Sequence, residues 1–236
     1  MKNLFILIIG VIILSACNTS EDKGNESVDY AEYFYPTDSI IPFIYLFQEE
    51  NNPLNEKMHR IYRLESAADT TLAVEIFNSE FRITEGFTYD VNDFSVEDHM
   101  VVDAEGLKRK AKLTSNTIFP LRNGEQSLFV SDFPSHLDSI SMVYASKKSV
   151  IDDATEINVL GKNAPAIVVR DSVTVTMVNV YTKQGSSQQF AMDRVYAKGY
   201  GLVKWSLTDG SVVYELKNIL SNKWWEEVAQ APSVRL

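Results

Sequence analysis

The chain has 236 residues, of which 45% are hydrophobic and 11% aromatic, so it is apolar enough to bury a substantial core and is not disordered as a whole. Lysine and arginine total 22 against 32 aspartate and glutamate residues, and the resulting net charge of −10 makes nucleic acid a poor partner. A single cysteine excludes an intramolecular disulfide, so we expect stability to come from the apolar core.

The amino terminus has the form of an export signal. Lys2 precedes an uninterrupted apolar block, Leu4 to Leu14, and the small residues Ser15 and Ala16 follow it. As a helix this block would be roughly 16 Å long, about half of a hydrocarbon core near 30 Å, so a permanent membrane-spanning helix is not expected. We predict that residues 1–16 are a cleaved signal peptide.

The residues at the end of this signal, Leu14, Ser15, Ala16 and Cys17, resemble the lipobox of bacterial lipoproteins. The resemblance implies that Cys17 becomes the first mature residue and carries lipid on its thiol and amino group. More than one acyl chain is needed for a stable membrane anchor. The alternative is an ordinary secretory signal with a chance cysteine. An acylated Cys17 is no longer a candidate nucleophile or metal ligand.

Residues 17–29 are predicted to be a tether between the anchor and the folded body. Asn18 to Ser27 contains no aromatic or large aliphatic residue, and such a segment has a reach of roughly 15–20 Å. Asn18 resembles the outer-membrane address of lipoproteins from enteric-type bacteria. The acidic pair Glu21 and Asp22 is similar to the tether of surface-exposed Bacteroidota lipoproteins. We therefore expect an exported protein with a lipid anchor in the outer membrane, on either its periplasmic or its surface face.

After Tyr30, segments rich in aromatic and β-branched residues alternate with turn residues, which predicts antiparallel strands. The predicted strands are 40–48, 58–65, 71–77, 81–89, 99–104, 107–113, 126–130, 166–182, 188–201 and the two segments that flank Asp209 and Gly210. Asp209 and Gly210 predict a tight two-residue turn, and residues 122–124 predict another turn. The expected fold is mostly β, an antiparallel meander that forms a curved sheet, half-barrel, barrel or sandwich. We expect one domain over residues 30–236, with a possible seam near 133–153.

Because successive side chains of a strand point to opposite faces of the sheet, the sequence predicts which residues share a face in two of these strands. Val203, Trp205 and Leu207 are predicted to form a core face, and Val175 and Met177 share one face of the strand 166–182.

Two stretches resemble the signatures of exported bacterial β proteins that have no assigned activity. One is the aromatic and proline motif Tyr33 to Pro36, although Ile41 and Pro42 stand where those proteins usually carry glycine and tryptophan. The other is YAKGYGLVK, Tyr196 to Lys204, which is similar to their Y-A-x-G-x-G-L-V-K strand entry. The resemblance implies a strongly curved antiparallel sheet. Some of these proteins resemble the half-barrels of lipoprotein-localisation carriers, which hold acyl chains in an apolar concavity.

Few residues form a pattern that is typical of catalysis. Gly199 and Gly201 open a strand rather than a helix, so they predict a bend in the sheet and not a phosphate loop. His59, His99 and His136 lack the spacing of metal ligands, and we expect neither a metal nor a cofactor. The acidic groups at 97–105 and 152–156 are interpreted as solvated turns, with a catalytic carboxylate pair as the alternative.

Trp224 and Trp225 follow the last predicted strand, either as a helical cover over the sheet or as an exposed platform for a sugar or a partner. Together with Trp205 they are the candidate ligand or partner contacts.

The sequence thus favours a lipid-anchored envelope protein without catalytic residues, which binds a protein, glycan or lipid or has a structural role. One alternative is a carrier that holds an acyl chain against Val175, Met177, Val203 and Trp205. The other alternative is an envelope hydrolase that uses a carboxylate pair.

Overall fold

The structure is a computed structural model that describes residues 29–65 and 70–229. Within these ranges the chain forms one antiparallel sheet of 13 strands, curled into a nearly closed barrel shape. The described residues also include a short 3-10 helix, Ala31–Tyr33, and one α-helix, α1, at Asn222–Ala229. The predicted mostly β fold class is confirmed. No helix in the described ranges is long and apolar enough to cross a membrane.

Each strand pairs with its neighbour in sequence, apart from the junction of β6 and β7, and the first strand also pairs with the last. The strands are β1 Phe43–Glu49, β2 Asn52–Glu65, β3 Thr70–Asn78, β4 Ile83–Asp90, β5 Val96–Val102, β6 Lys108–Lys110, β7 Lys112–Asn116, β8 Gln126–Pro134, β9 Ile140–Val159, β10 Lys162–Asn179, β11 Gly185–Ala197, β12 Gly201–Leu207 and β13 Val213–Ser221.

The sheet closes at residues 108–116, where the first part of the segment pairs with one edge of the sheet and the second part pairs with the other edge. β6 pairs with β5, β7 pairs with β8, and only Ala111 lies between β6 and β7. The backbone N–H of Ala111 donates to the carbonyl of His99 at 2.8 Å, and Ser95 forms an isolated bridge with Thr117. The two edges of the sheet are therefore held together, which removes most of the free strand edge.

The amino-terminal residues of the body close one end of the barrel, which we call the plugged pole. Tyr30, Phe34 and Tyr35 are buried there. The ring of Phe34 stacks on Phe94 with centroids 4.4 Å apart, and it also contacts Phe119 at 5.1 Å. These aromatic contacts exclude water from this end of the barrel.

Helix α1 covers part of the outer face of the sheet. In β1 the alternation of the strand turns Tyr45 and Phe47 inward and leaves Ile44 on the outside. Ile44 is nevertheless buried, because Trp225 of α1 packs in the same cluster with Ile44 and Met58. The amphipathic helix therefore protects an apolar outer patch.

The structure differs from the strand predictions most clearly at residues 140–159, which form the strand β9 that no predicted strand covers. β9 pairs with both β8 and β10, so the strand residues of the interval 133–153 belong to this same sheet. The predicted two-residue turn at Asp209 is instead a longer connection, residues 208–212, in which Gly210 has a φ of 73°. Leu202 is buried along with Val203 because the pairing of β11 and β12 contains a bulge.

Candidate functional site: the open end of the barrel and its interior

At the end opposite the plugged pole, the open pole, three hairpin turns surround an apolar cavity of about 740 Å³, the mouth cavity. The turns connect β5 to β6, β8 to β9 and β10 to β11. The volume lies within the range of typical small-molecule sites, which is about 300–1,000 Å³. The apolar side chains on its wall are Val101, Val102, Ala104, Phe133, Pro134, Leu137, Ile140, Met142 and Met177.

Strand register places three of these side chains next to one another. Met142 of β9 pairs with Met177 of β10 on one side and with Phe133 of β8 on the other. Cross-strand partners lie on the same face, so the three side chains form a continuous apolar wall. Methionine adapts its shape to irregular contacts, which suits a wall that accepts flexible ligands.

The polar groups at the rim of the mouth cavity are largely occupied by their own turns. The Asp103 carboxylate accepts hydrogen bonds from Arg109 Nε at 2.8 Å and from the backbone N–H of Glu105 and Leu107. Asn179 Oδ1 accepts from the backbone N–H of Tyr181. These contacts leave the apolar wall as the main surface that a ligand meets.

Deeper inside the barrel, Lys148, Asp171 and Arg194 form a buried ionic cluster. The Asp171 side chain is 0% exposed, and it accepts hydrogen bonds from Ser146 Oγ at 2.6 Å and from Arg194 Nε at 2.9 Å. Lys148 Nζ lies 3.9 Å from Asp171 Oδ2 and donates to the carbonyl of Ile118 at 3.1 Å. The three residues come from three adjacent strands, β9, β10 and β11.

The cluster carries one net positive charge at neutral pH. Burial raises the pKa of Asp171, but the charges of Lys148 and Arg194 outweigh this effect and hold the pKa below its ordinary value. Burial lowers the pKa of Lys148 to about 8, against the opposing effect of Asp171. Both cations are therefore largely protonated at pH 7, while Asp171 is ionised.

The cluster borders a small internal space of about 110 Å³, the interior cavity. Glu85 lies on its wall, and Glu85 Oε1 is 2.9 Å from His99 Nε2. The other polar side chains on the wall are Arg194, Lys148, His59, Tyr35, Tyr89, Tyr144 and Tyr196. The wall of the interior cavity is therefore more polar than the wall of the mouth cavity.

A single layer of side chains separates the two cavities. The His99 ring lies between Phe129, which borders the interior cavity, and Phe133, which borders the mouth cavity, with centroid distances of 5.5 Å and 6.1 Å. Ser131 pairs in register with Tyr144 at the same level. His99 Nδ1 and Ser131 Oγ are buried and have no hydrogen-bond partner among the described residues.

The structure separates the four side chains that the carrier alternative brings together. Met177 lines the mouth cavity, whereas Val203 and Trp205 belong to the closed core. Trp205 packs between Phe47 and Tyr214, each with its ring centroid 4.7 Å away. Val175 is half-buried and lies one inward position below Met177. A shared wall for the four is therefore wrong, because alternation brings Met177 to the mouth while β12 faces the core.

The two adjacent tryptophans lie on the outside of the barrel. Trp225 is buried against Phe77 with centroids 4.5 Å apart, and Trp224 is half-buried 6.3 Å from Phe81. The role of Trp224, Trp225 and Trp205 as ligand or partner contacts stays a prediction.

The histidines do not converge. His59 is buried, with Nδ1 at 3.0 Å from the Tyr35 hydroxyl, and burial lowers its pKa to about 3. His99 faces Glu85, and His136 is exposed at the rim of the mouth cavity. In the part of the chain that the structure describes, no group of three or more potential ligands is placed to hold a metal ion.

Most of the carboxylates of the hydrolase alternative have individual partners in turns or at the sheet surface. Asp98 pairs with Lys110, and Asp152 accepts from Thr155. Asp153 accepts from the hydroxyl of Tyr30. The predicted lipobox, Leu14 to Cys17, lies outside the described residues.

No protein-family model matches the chain, and no curated protein matches it. Two solved structures are similar to it. One is a proposed lipoprotein from Parabacteroides distasonis, with a TM-score of 0.43, 9% identity and coverage of 80% of this chain and 98% of the other. The second is a proposed exported protein with a YmcC-like fold from Bacteroides fragilis, with a TM-score of 0.35, 10% identity and coverage of 80% and 99%. Structural similarity at this level gives no information about the function of the chain.

Proposed function

We propose that the protein is an exported, lipid-anchored protein of the cell envelope that binds an apolar ligand in the mouth cavity. The observation that carries the binding function is this cavity of about 740 Å³ at the open pole. Export and anchoring are supported by the apolar block that ends in the lipobox-like residues Leu14 to Cys17.

The cavity wall leaves apolar side chains in contact with water. Met177 is 44% exposed and Leu137 is 51% exposed, although both belong to a concave surface. A ligand that covers such surface gains about 2.5 kcal/mol for every 100 Å² of apolar area removed from water. The free energy of binding is therefore supplied mainly by the apolar body of the ligand.

The same site favours binding over hydrolysis. Asp103 supplies the only carboxylate among the described residues that line the mouth cavity, and it is held by Arg109 and two backbone amides. A carboxylate engaged in this way is poorly placed to act as a general base. The proposed role is therefore that of a binding protein.

A charge placed on the cavity wall tests the proposal. We expect Met177→Arg to weaken binding of an uncharged naphthylamine dye that fluoresces in apolar surroundings by at least about tenfold, because the bound dye would cover a cation that has no partner. The matched control is Leu128→Arg, since Leu128 is 46% exposed but lies on the opposite face of β8.

Circular dichroism should show that both variants keep the fold. Equal dye affinity in the parent and in Met177→Arg, with the fold intact, contradicts binding in the mouth cavity.

A further inference from the structure

We propose that the ligand is a long-chain carboxylate, such as a fatty acid, whose chain occupies the mouth cavity and whose carboxylate is bound by Arg194 and Lys148 in the interior cavity. This inference rests on the proposed apolar-ligand function and adds a head-group site to it.

The ionic cluster contains N–H donors that have no acceptor within the cluster. A guanidinium carries five N–H groups, and the acceptor that Arg194 has among the described residues is Asp171, which it contacts through Nε. Lys148 donates to the Ile118 carbonyl and faces Asp171 at 3.9 Å, which leaves part of its ammonium group without an acceptor. Both side chains border the interior cavity, so a ligand there meets charged donors that the protein leaves free.

The charges around the interior cavity limit the negative charge that a ligand can carry there. Lys148, Asp171 and Arg194 together carry a net charge of about +1 at neutral pH. Glu85 places a second carboxylate on the wall of the same cavity, with Oε1 at His99 Nε2, so the charges around the cavity balance and only the free donors of Lys148 and Arg194 favour an anionic group. A space of about 110 Å³ also admits only a small head group. A carboxylate meets these conditions, whereas a doubly charged phosphate does not.

The distance from the wall of the mouth cavity to the ionic cluster sets the length of the ligand. Lys148 and Met142 are six residues apart on β9, which corresponds to roughly 20 Å at about 3.3 Å per residue. Asp171 and Met177 have the same separation on β10. A ligand that reaches from the wall of the mouth cavity to the cluster therefore needs a long, unbranched chain.

The layer between the cavities is the place where such a ligand must pass. It contains two buried polar atoms without partners among the described residues, His99 Nδ1 and Ser131 Oγ. Unpaired buried polar groups cost free energy, which opposes the contacts that hold His99 in this layer, its bond to Glu85 and its stacking on Phe87 at 4.4 Å. We infer that a ligand that reaches both cavities displaces the side chains of this layer.

The test compares two ligands that share a chain and differ in the head group, hexadecanoic acid and hexadecanol, by displacement of the naphthylamine dye at pH 7. We expect the parent protein to prefer the acid by at least about tenfold, the factor that one charge-assisted hydrogen bond supplies. Arg194→Gln should reduce this preference to near one and leave hexadecanol binding unchanged. Arg170→Gln is the matched control, because Arg170 pairs with Asp193 on the outer face of the same sheet.

Arg194→Gln removes one partner of a buried carboxylate and requires a check of folding by thermal unfolding. If it does not fold, Lys148→Gln keeps the pair of Arg194 and Asp171 and should lower the preference for the acid several-fold. Equal affinity of the parent for acid and alcohol overturns the head-group site and leaves the apolar-ligand function intact. Failure of both ligands to displace a bound dye overturns the long-chain ligand, whereas the apolar-ligand function is overturned only if the dye itself does not bind in the mouth cavity.

Discussion

At the level of single residues, the interior of the barrel depends on Asp171. Its carboxylate is removed from water and is compensated by Ser146, Arg194 and Lys148. Removing one partner from such a cluster leaves the others charged and buried, which costs far more than the loss of an ion pair at the surface.

We predict that Asp171→Ala lowers the free energy of unfolding by about 3–5 kcal/mol in denaturant titrations, because Lys148 and Arg194 lose their common counter-ion. The control is Asp193→Ala, which breaks a partly exposed pair with Arg170 and should cost less than about 1 kcal/mol. Similar losses in both variants would contradict a special role for the interior cluster.

The effect of Asp171 should also depend on pH. Its pKa is lower in the folded state than in the unfolded chain, so its contribution is present at neutral pH and is lost as the pH falls through the folded value. The difference in stability between Asp171→Ala and the parent should therefore narrow in acid.

The ionic cluster could not be predicted from the sequence, because each member has a charged neighbour in the chain. Lys148 follows Lys147, Asp171 follows Arg170, and Arg194 follows Asp193. Alternation turns one residue of every pair inward and the other outward, but the sequence alone does not say which. The register of β9, β10 and β11 decides this, and it aligns Asp171 with Lys148 while Arg170 aligns with Asp193.

At the level of elements, most strands were predictable because their inward residues are apolar. Val173, Val175 and Met177 lie on one face of β10, as alternation predicts. Strand β9 was not predicted at all, because two of its inward residues, Ser146 and Lys148, are polar and look like solvent-facing positions. Pairing with β8 and β10, and not the hydrophobic pattern of the segment itself, stabilises it as a strand.

The aromatic plug depends on a close approach of the backbone at the start of β12. Gly201 has a φ of 81°, and a Cβ atom placed there would lie 2.6 Å from Cδ1 of Tyr35. Gly199, two residues earlier, has a φ of 76° but has nothing within 4 Å of the same position. A substitution at Gly199 therefore reports the cost of the positive φ alone, whereas a substitution at Gly201 reports that cost together with a steric clash.

We predict that Gly201→Ala lowers the free energy of unfolding by about 2–4 kcal/mol, because it adds a clash with Tyr35 to the cost of a positive φ. Gly199→Ala should cost only about 1 kcal/mol, which reflects the backbone conformation alone. Thermal or chemical unfolding of the two variants checks this order, and equal losses would show that the Tyr35 contact does not matter.

At the level of the whole molecule, the first described residues lie at one end of the barrel and the mouth cavity lies at the other. The first described residue, Asp29, forms a backbone bridge with Arg122, and the hydroxyl of Tyr30 donates to Asp153 at the plugged pole. The mouth cavity lies at the other end of the same strand, β9. The chain therefore enters the barrel at the end opposite its proposed ligand site.

The proposed anchor is tested in cells that export the full chain. We predict that Cys17→Ala abolishes labelling by radioactive palmitate and moves the protein from the membrane fraction to the soluble fraction, because no acyl chain remains to hold it. Cys17 is the only cysteine, so Ser20→Ala in the predicted tether serves as the matched control and should leave both properties unchanged. Labelling of the Cys17→Ala variant would contradict the lipobox interpretation.

The entry of the chain at the plugged pole bears on the direction in which the mouth cavity faces relative to the membrane. Between Asp153 and Met142 lie eleven steps of β9, roughly 35 Å of strand, and the predicted tether reaches only roughly 15–20 Å. If the body is anchored through Cys17 as we propose, we expect its mouth to face the aqueous side, away from the leaflet that holds the acyl chains. We would then expect the proposed ligand to be exchanged with a soluble donor or an opposing surface rather than drawn directly from the membrane beneath the body.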